Sequence, residues 1–236
     1  MEDKEKQLRY LEPFDESKLL GYTKKCFEGM RYITQNGRMV KDIQDSLSPI
    51  LERNYMLSLV YEMGKHEGTN EVEEPVLASS GLFVGGETNK FINTKDNENI
   101  LNTANDLNIT VENSRFEAIP DLIVHNSHNP SCGETGEGQH LALEAKTTKR
   151  LGKVAFMKDF FKLNVYLSAL NYEVAIYLIV NTRTEKVDEL IGNYIENGYY
   201  CCKKGKLFFF IQDDIMSEPM IYIFNKNKIQ EAGCTT

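Results

Sequence analysis

Cysteine is scarce in this chain. Five are present, an odd number, and Cys201 and Cys202 are neighbours. That excludes a disulfide framework as the basis of the fold and reads as a reduced, intracellular chain. No apolar run approaches the roughly 20 residues a bilayer requires, which excludes a spanning helix. The opening residues, MEDKEKQLRY, hold no apolar signal segment, so a cytoplasmic location is expected. Positive charge is in deficit: 27 Lys and Arg against 35 Asp and Glu leave a net −8. This argues against a tight, non-specific polyanion binder, because phosphate contacts need cations. It leaves room for a nucleic-acid enzyme with a local basic patch. Two further patterns are missing. Gly133 to Gly138 has no Gly-Lys-Ser/Thr ending, so it reads as a flexible loop and not a phosphate cradle. No nucleophile-elbow pattern marks a serine hydrolase. His125, His128, Cys132 and His140 lie close together, but their spacing fits no structural zinc pattern and reads as a polar loop.

What is present is an ordinary globular composition. With 236 residues, 41% of them hydrophobic, a core can form without staples. Residues 1–15 read as a polar arm. Asp15, Glu16 and Ser17 suit the cap of a helix carrying Leu19, Leu20, Tyr22, Cys26 and Met30, interrupted near Gly37. Ser48-Pro49 opens a second helix that Gly64 should stop. Val72 to Val84 is strand-like but broken by Pro75 and Gly81. Residues 85–115 read as an insertion with one short helix from Asn97 to Leu107. Thereafter the pattern sharpens. Strands are expected over 119–125 and 140–146, a helix from Val154 to Leu170, an apolar strand over 174–180 and a helix over 184–196. Tyr199–Cys202 and Leu207–Ile211, separated by Lys203-Lys204-Gly205-Lys206, read as a hairpin, and Met220–Phe224 as a last strand. The order predicts an α/β or α+β layer fold with a mixed sheet flanked by helices. It also predicts a parallel crossover between residues 140 and 180.

Two stretches carry chemistry. Ile119-Pro120-Asp121-Leu122-Ile123-Val124 and Leu141-Ala142-Leu143-Glu144-Ala145-Lys146 are apolar runs interrupted by charges that are costly to bury unpaired. Alternate residues of a strand share a face, so Glu144 and Lys146 project together. A neighbouring strand 119–125 brings Asp121 to the same place. Two carboxylates there form a hard oxygen site suited to Mg²⁺ or Mn²⁺.

Pro120-Asp121, twenty-two intervening residues, then Glu144-Ala145-Lys146 resembles the PD-(D/E)XK nuclease superfamily. The resemblance covers roughly residues 116–181 and implies a restriction-endonuclease-like core, with residues 1–45 an N-terminal helical arm and 46–236 the nuclease-like domain. It implies a Mg²⁺-dependent endonuclease or phosphodiesterase in which Asp121, Glu144 and Lys146 are catalytic. Asp121, Glu144 and the Ala145 backbone carbonyl would hold metal, and Lys146 would orient or activate the attacking water. The superfamily often adds a carboxylate from an upstream helix. Glu52 is the candidate here, ahead of Glu62, Glu73 and Glu74.

Lys146, Lys149, Arg150, Lys153, Lys158 and Lys162 surround one acid, Asp159, a reversal of the overall charge. Lys149, Arg150, Lys153, Lys158 and Lys162 are the candidate nucleic-acid contacts, against the plainer reading of a solvated face. Lys162 and Tyr166 stand four apart on one helical face, where some relatives carry Gln-x-x-x-Tyr. Tyr166 reads as core packing. DNA is the expected polymer ahead of RNA, with no membrane partner, and a homodimer by analogy with double-strand cutters. The rival reading is a nuclease-fold protein without catalysis that binds nucleic acid or a protein.

Overall fold

A computed structural model describes residues 8–36, 49–65, 82–85, 90–95, 97–126, 138–214 and 217–228. In chain order its elements are β1 (Leu11–Pro13), α1 (Gly21–Asn36), α2 (Pro49–Lys65), β2 (Leu82–Gly85), β3 (Lys90–Asn93), α3 (Glu98–Asp106) and β4 (Arg115–Ala118). There follow β5 (Leu122–Asn126), β6 (Gln139–Thr147), α4 (Lys153–Ala169), β7 (Val174–Val180), α5 (Thr184–Glu196), β8 (Lys206–Gln212) and β9 (Met220–Phe224). None of the described helices is long and apolar enough to cross a membrane.

The fold is mixed α/β, as the alternation of patterns predicts. A seven-stranded sheet runs β1-β9-β8-β7-β6-β5-β2, and β3 pairs with β4 in a separate ribbon. Strands β6, β7 and β8 are parallel to one another and the other neighbours are antiparallel. The central β7 reads VAIYLIV because both of its faces are covered. Ala175, Tyr177 and Ile179 join one core with α4 and α5. Ile176, Leu178 and Val180 join another with α1 and α2. The sheet is thus sandwiched between two helical layers. Ile92, Ile100, Ala104 and Leu107, from the segment expected to be an insertion, belong to the α4–α5 core.

Several expectations meet corrections. The polar arm contains buried Tyr10 and Leu11, and β1 forms the sheet's edge beside β9. The Asp188 carboxylate accepts hydrogen bonds from the backbone N–H groups of Arg9, Tyr10 and Leu11, at 2.9, 2.8 and 3.0 Å. Asp15 caps only the single 3-10 turn Glu16–Lys18, and α1 starts afresh at Gly21. Helix α2 begins at Pro49, as its preset φ favours, but runs through Gly64 to Lys65. Gly37 and residues 71–81 lie outside the described residues.

The expected hairpin at 199–211 does not form. The amides of its first half are taken by helix side chains: Tyr200 N–H donates to Thr103 Oγ1 and Cys202 N–H to Asn164 Oδ1, both at 2.9 Å. Its second half, β8, pairs instead with β7 and β9. Cys26, Cys201 and Cys202 are buried thiols.

Candidate active site

The strand expected from residue 119 starts at Leu122. Pro120 has no N–H for a ladder, so the chain bends there and Asp121 lies just ahead of β5. Register pairs Leu122 with Leu143, which sets Asp121 beside the Glu144-Ala145 segment of β6. Its Oδ2 accepts the Ala145 backbone N–H at 2.7 Å. A side-chain carboxylate therefore satisfies the Ala145 N–H beyond the last β5–β6 pair.

Glu144 is almost wholly buried, on the β6 face that looks toward α4. Both of its oxygens are engaged. Lys162 Nζ donates to Oε2 at 2.7 Å and the Tyr166 hydroxyl to Oε1 at 2.9 Å. Lys146, two residues on, donates to its own neighbour's carbonyl, Ala145 O, at 2.9 Å and to Glu52 Oε1 at 3.0 Å. Glu52 lies in the first turn of α2, in the opposite helical layer, so the site draws on both sides of the sheet. Asp159 of α4 completes it. Its Oδ2 is 3.3 Å from Lys146 Nζ and its Oδ1 is 3.0 Å from Lys162 Nζ. The Tyr177 hydroxyl donates to Asp159 Oδ2 at 3.3 Å.

Four carboxylates face two ammoniums, a formal excess of two negative charges in a poorly hydrated place. The titration behaviour follows. Burial pushes the Glu144 carboxyl up to about 8; the charges of Asp159 and Asp121 add to this, and Lys162 opposes it. Burial also raises Asp121, against the stabilising Ala145 N–H and Lys146. For Lys146, burial acts to lower the ammonium's value, but Asp159, Glu52 and Asp121 together drive it above the ordinary lysine range. Lys162 goes the same way: burial lowers it, and Glu144 and Asp159 more than offset that. Burial, then the charge of Glu144, holds the Tyr166 phenol well above its usual range.

The sequence-predicted residues Asp121, Glu144, Ala145, Lys146, Glu52 and Lys162 are brought together. The other predicted contacts are not part of this cluster. Lys149 and Arg150 are exposed on the link between β6 and α4. Lys153 Nζ donates to Asn193 Oδ1 at 2.9 Å, and Lys158 Nζ reaches Asn108 O at 3.3 Å. The His140 ring lies tilted beside Tyr22 and 3.4 Å from Glu173, while His128 and Cys132 lie outside the described residues. Sequence reasoning missed Asp159 as a member, and read Tyr166 as packing. The signal was present: Asp159, Lys162 and Tyr166 sit at i, i+3 and i+7, a polar stripe along a helix whose other buried positions are mostly apolar.

Hard oxygen donors with surplus negative charge fit a divalent cation of the Mg²⁺ or Mn²⁺ type. Among the described residues, no group of three or more His, Cys, Asp or Glu side chains is gathered as a metal cluster. Glu144, Glu52 and Asp159 turn onto lysines and Asp121 onto the Ala145 N–H, and each Glu144 oxygen, with one partner, keeps a second lone pair. Comparison with protein-family models, with curated proteins and with solved structures found no match.

Proposed function

We propose that the protein is a metal-dependent nuclease that hydrolyses phosphodiester bonds of DNA. One observation carries the reading: Asp121, distant in sequence, meets the Glu144-Ala145-Lys146 segment, where its Oδ2 accepts the Ala145 N–H, Lys146 Nζ donates to the Ala145 carbonyl and the Asp121 charge acts on Glu144. The strand order supports it. Helix α2 precedes the antiparallel neighbours β2, β5 and β6, and α4 then leads to the parallel β7, an order in keeping with the PD-(D/E)XK resemblance.

In this reading Asp121, Glu144 and the Ala145 carbonyl hold Mg²⁺ or Mn²⁺, with Glu52 as a further donor. The bound ion supplies Lewis-acid stabilisation of the phosphate and acidifies water. Lys146, kept as an ammonium by its acidic neighbours, orients the attacking water by donating hydrogen bonds and counters charge developing on phosphate. It is not the proton acceptor. Lys162 and Tyr166 hold the Glu144 carboxylate in one orientation. Exposed Lys149 and Arg150, next along the chain, suit the backbone of a bound strand.

A plasmid and a short duplex, each with Mg²⁺ or Mn²⁺, test the proposal. Cleavage should require the metal, and Lys146→Ala should slow it by about 10²–10³-fold with the melting transition retained. Equal rates for the two proteins reject the assignment. The rival, a binding protein without catalysis, is favoured by the Lys162 and Tyr166 bonds that already occupy one site on each Glu144 oxygen. Calorimetry with Mn²⁺ separates the two, since a folded protein that takes up no metal supports the rival.

A further inference from the structure

The reaction just proposed makes no use of Asp159, yet this acid touches both ammoniums of the site. Its side chain is 10% exposed. It lies on α4 against Tyr177, whose ring stacks on buried Phe156, surroundings that disfavour a charge unless partners hold it there. Its partners divide its oxygens. Oδ1 faces Lys162 at 3.0 Å, and Oδ2 faces Lys146 at 3.3 Å and receives the Tyr177 hydroxyl. One rigid carboxylate therefore spans both ammoniums. Lys162 is three residues along the same helix, so Asp159 ties Lys146 of β6 to the stripe that also carries Tyr166.

The other anchors of Lys146 are less constant. Glu52 and the Ala145 carbonyl, which Lys146 Nζ contacts at 3.0 and 2.9 Å, are both donors to metal in the proposed reaction. Whatever they give to a cation they withdraw from Lys146. Asp159 keeps its two lysines. We propose that Asp159 is the positioning residue of this site, fixing the aim and separation of the Lys146 and Lys162 ammoniums. The inference rests on the nuclease reading for its catalytic consequence, but its structural part stands apart from it.

The variant Asp159→Asn keeps the shape and removes the charge. Two measurements on the full chain decide the matter. In the first, metal-free protein is pulsed with acetic anhydride and the modified lysines are mapped by mass spectrometry. Lys146 and Lys162 should react severalfold faster in the variant, with exposed Lys149 unchanged as the internal reference. Equal rates at Lys146 and Lys162 overturn the proposal. In the second, duplex cleavage with Mn²⁺ should show kcat lowered about 10²-fold with KM unaltered, the mark of a misaimed group and not of weakened binding. An unaltered kcat overturns it. A wild type that cuts nothing rejects the nuclease reading alone, and the labelling still decides the role of Asp159. Should Asp159→Asn fail to fold, Tyr177→Phe takes its place, because it withdraws the hydroxyl that orients Oδ2. Faster labelling of Lys146 then supports the proposal, and a wild-type rate overturns it.

Discussion

Glu144 is the residue on which stability and chemistry pull in opposite directions. Its carboxyl is raised by burial, so the folded chain holds a proton that the unfolded chain has released. The stability this lends is complete below the ordinary carboxylate range, about pH 4.3, and is lost as pH climbs toward about 8. The melting temperature should therefore fall across that window, and Glu144→Gln should flatten the fall. A wild-type profile already flat, or a variant profile equally steep, contradicts this account. Mn²⁺ should also raise the melting temperature more at pH 8 than at pH 6, because the ion competes with that proton. Asp121, Glu144 and Lys146 were legible in the sequence because charges interrupt two apolar runs. Asp159 was not, because a lone acid inside a basic cluster reads as a solvated face. What distinguishes it is the burial of its helix on all but one edge, which emerges only once α4 is packed against β7.

At the scale of elements, the continuous apolar pattern of β7 and the spacing of α4 and α5 marked strands and helices to within a residue or two. The hairpin failed for a physical reason. Turn chemistry at Lys203-Lys204-Gly205-Lys206 is real, but it ends a loop whose amides α3 and α4 have already claimed, and β8 gains more from two sheet neighbours than from one. Gly205 is needed there. Its φ is +63°, and a Cβ would come within 2.7 Å of Leu167 Cδ2 and 3.2 Å of the Glu173 carbonyl oxygen. Gly205→Ala should destabilise the protein by about 1–3 kcal/mol in urea unfolding, through left-handed strain and the displaced Leu167. A variant as stable as wild type shows that the β8 entry relaxes freely.

For the whole molecule, a chain of net −8 can approach a polyanion only through local reversals of sign. Lys149 and Arg150 are exposed beside the site, whereas Lys162 is consumed within it. Duplex binding should therefore weaken with salt. Replacing Lys149 and Arg150 with Ala should make the logarithmic slope shallower by about 0.9 for each phosphate left without its cation. An unchanged slope assigns the phosphate-binding cations elsewhere. One more feature acts on this scale. Among the described strands, β1 is the earliest to leave the ribosome, and it pairs solely with β9, the latest, at the edge of the sheet. The other described strands of the sheet are already synthesised when that pairing becomes available, so the edge remains unsealed until β9 is made. Until β9 emerges, the newborn chain presents β8 as an open template to its neighbours on the polysome.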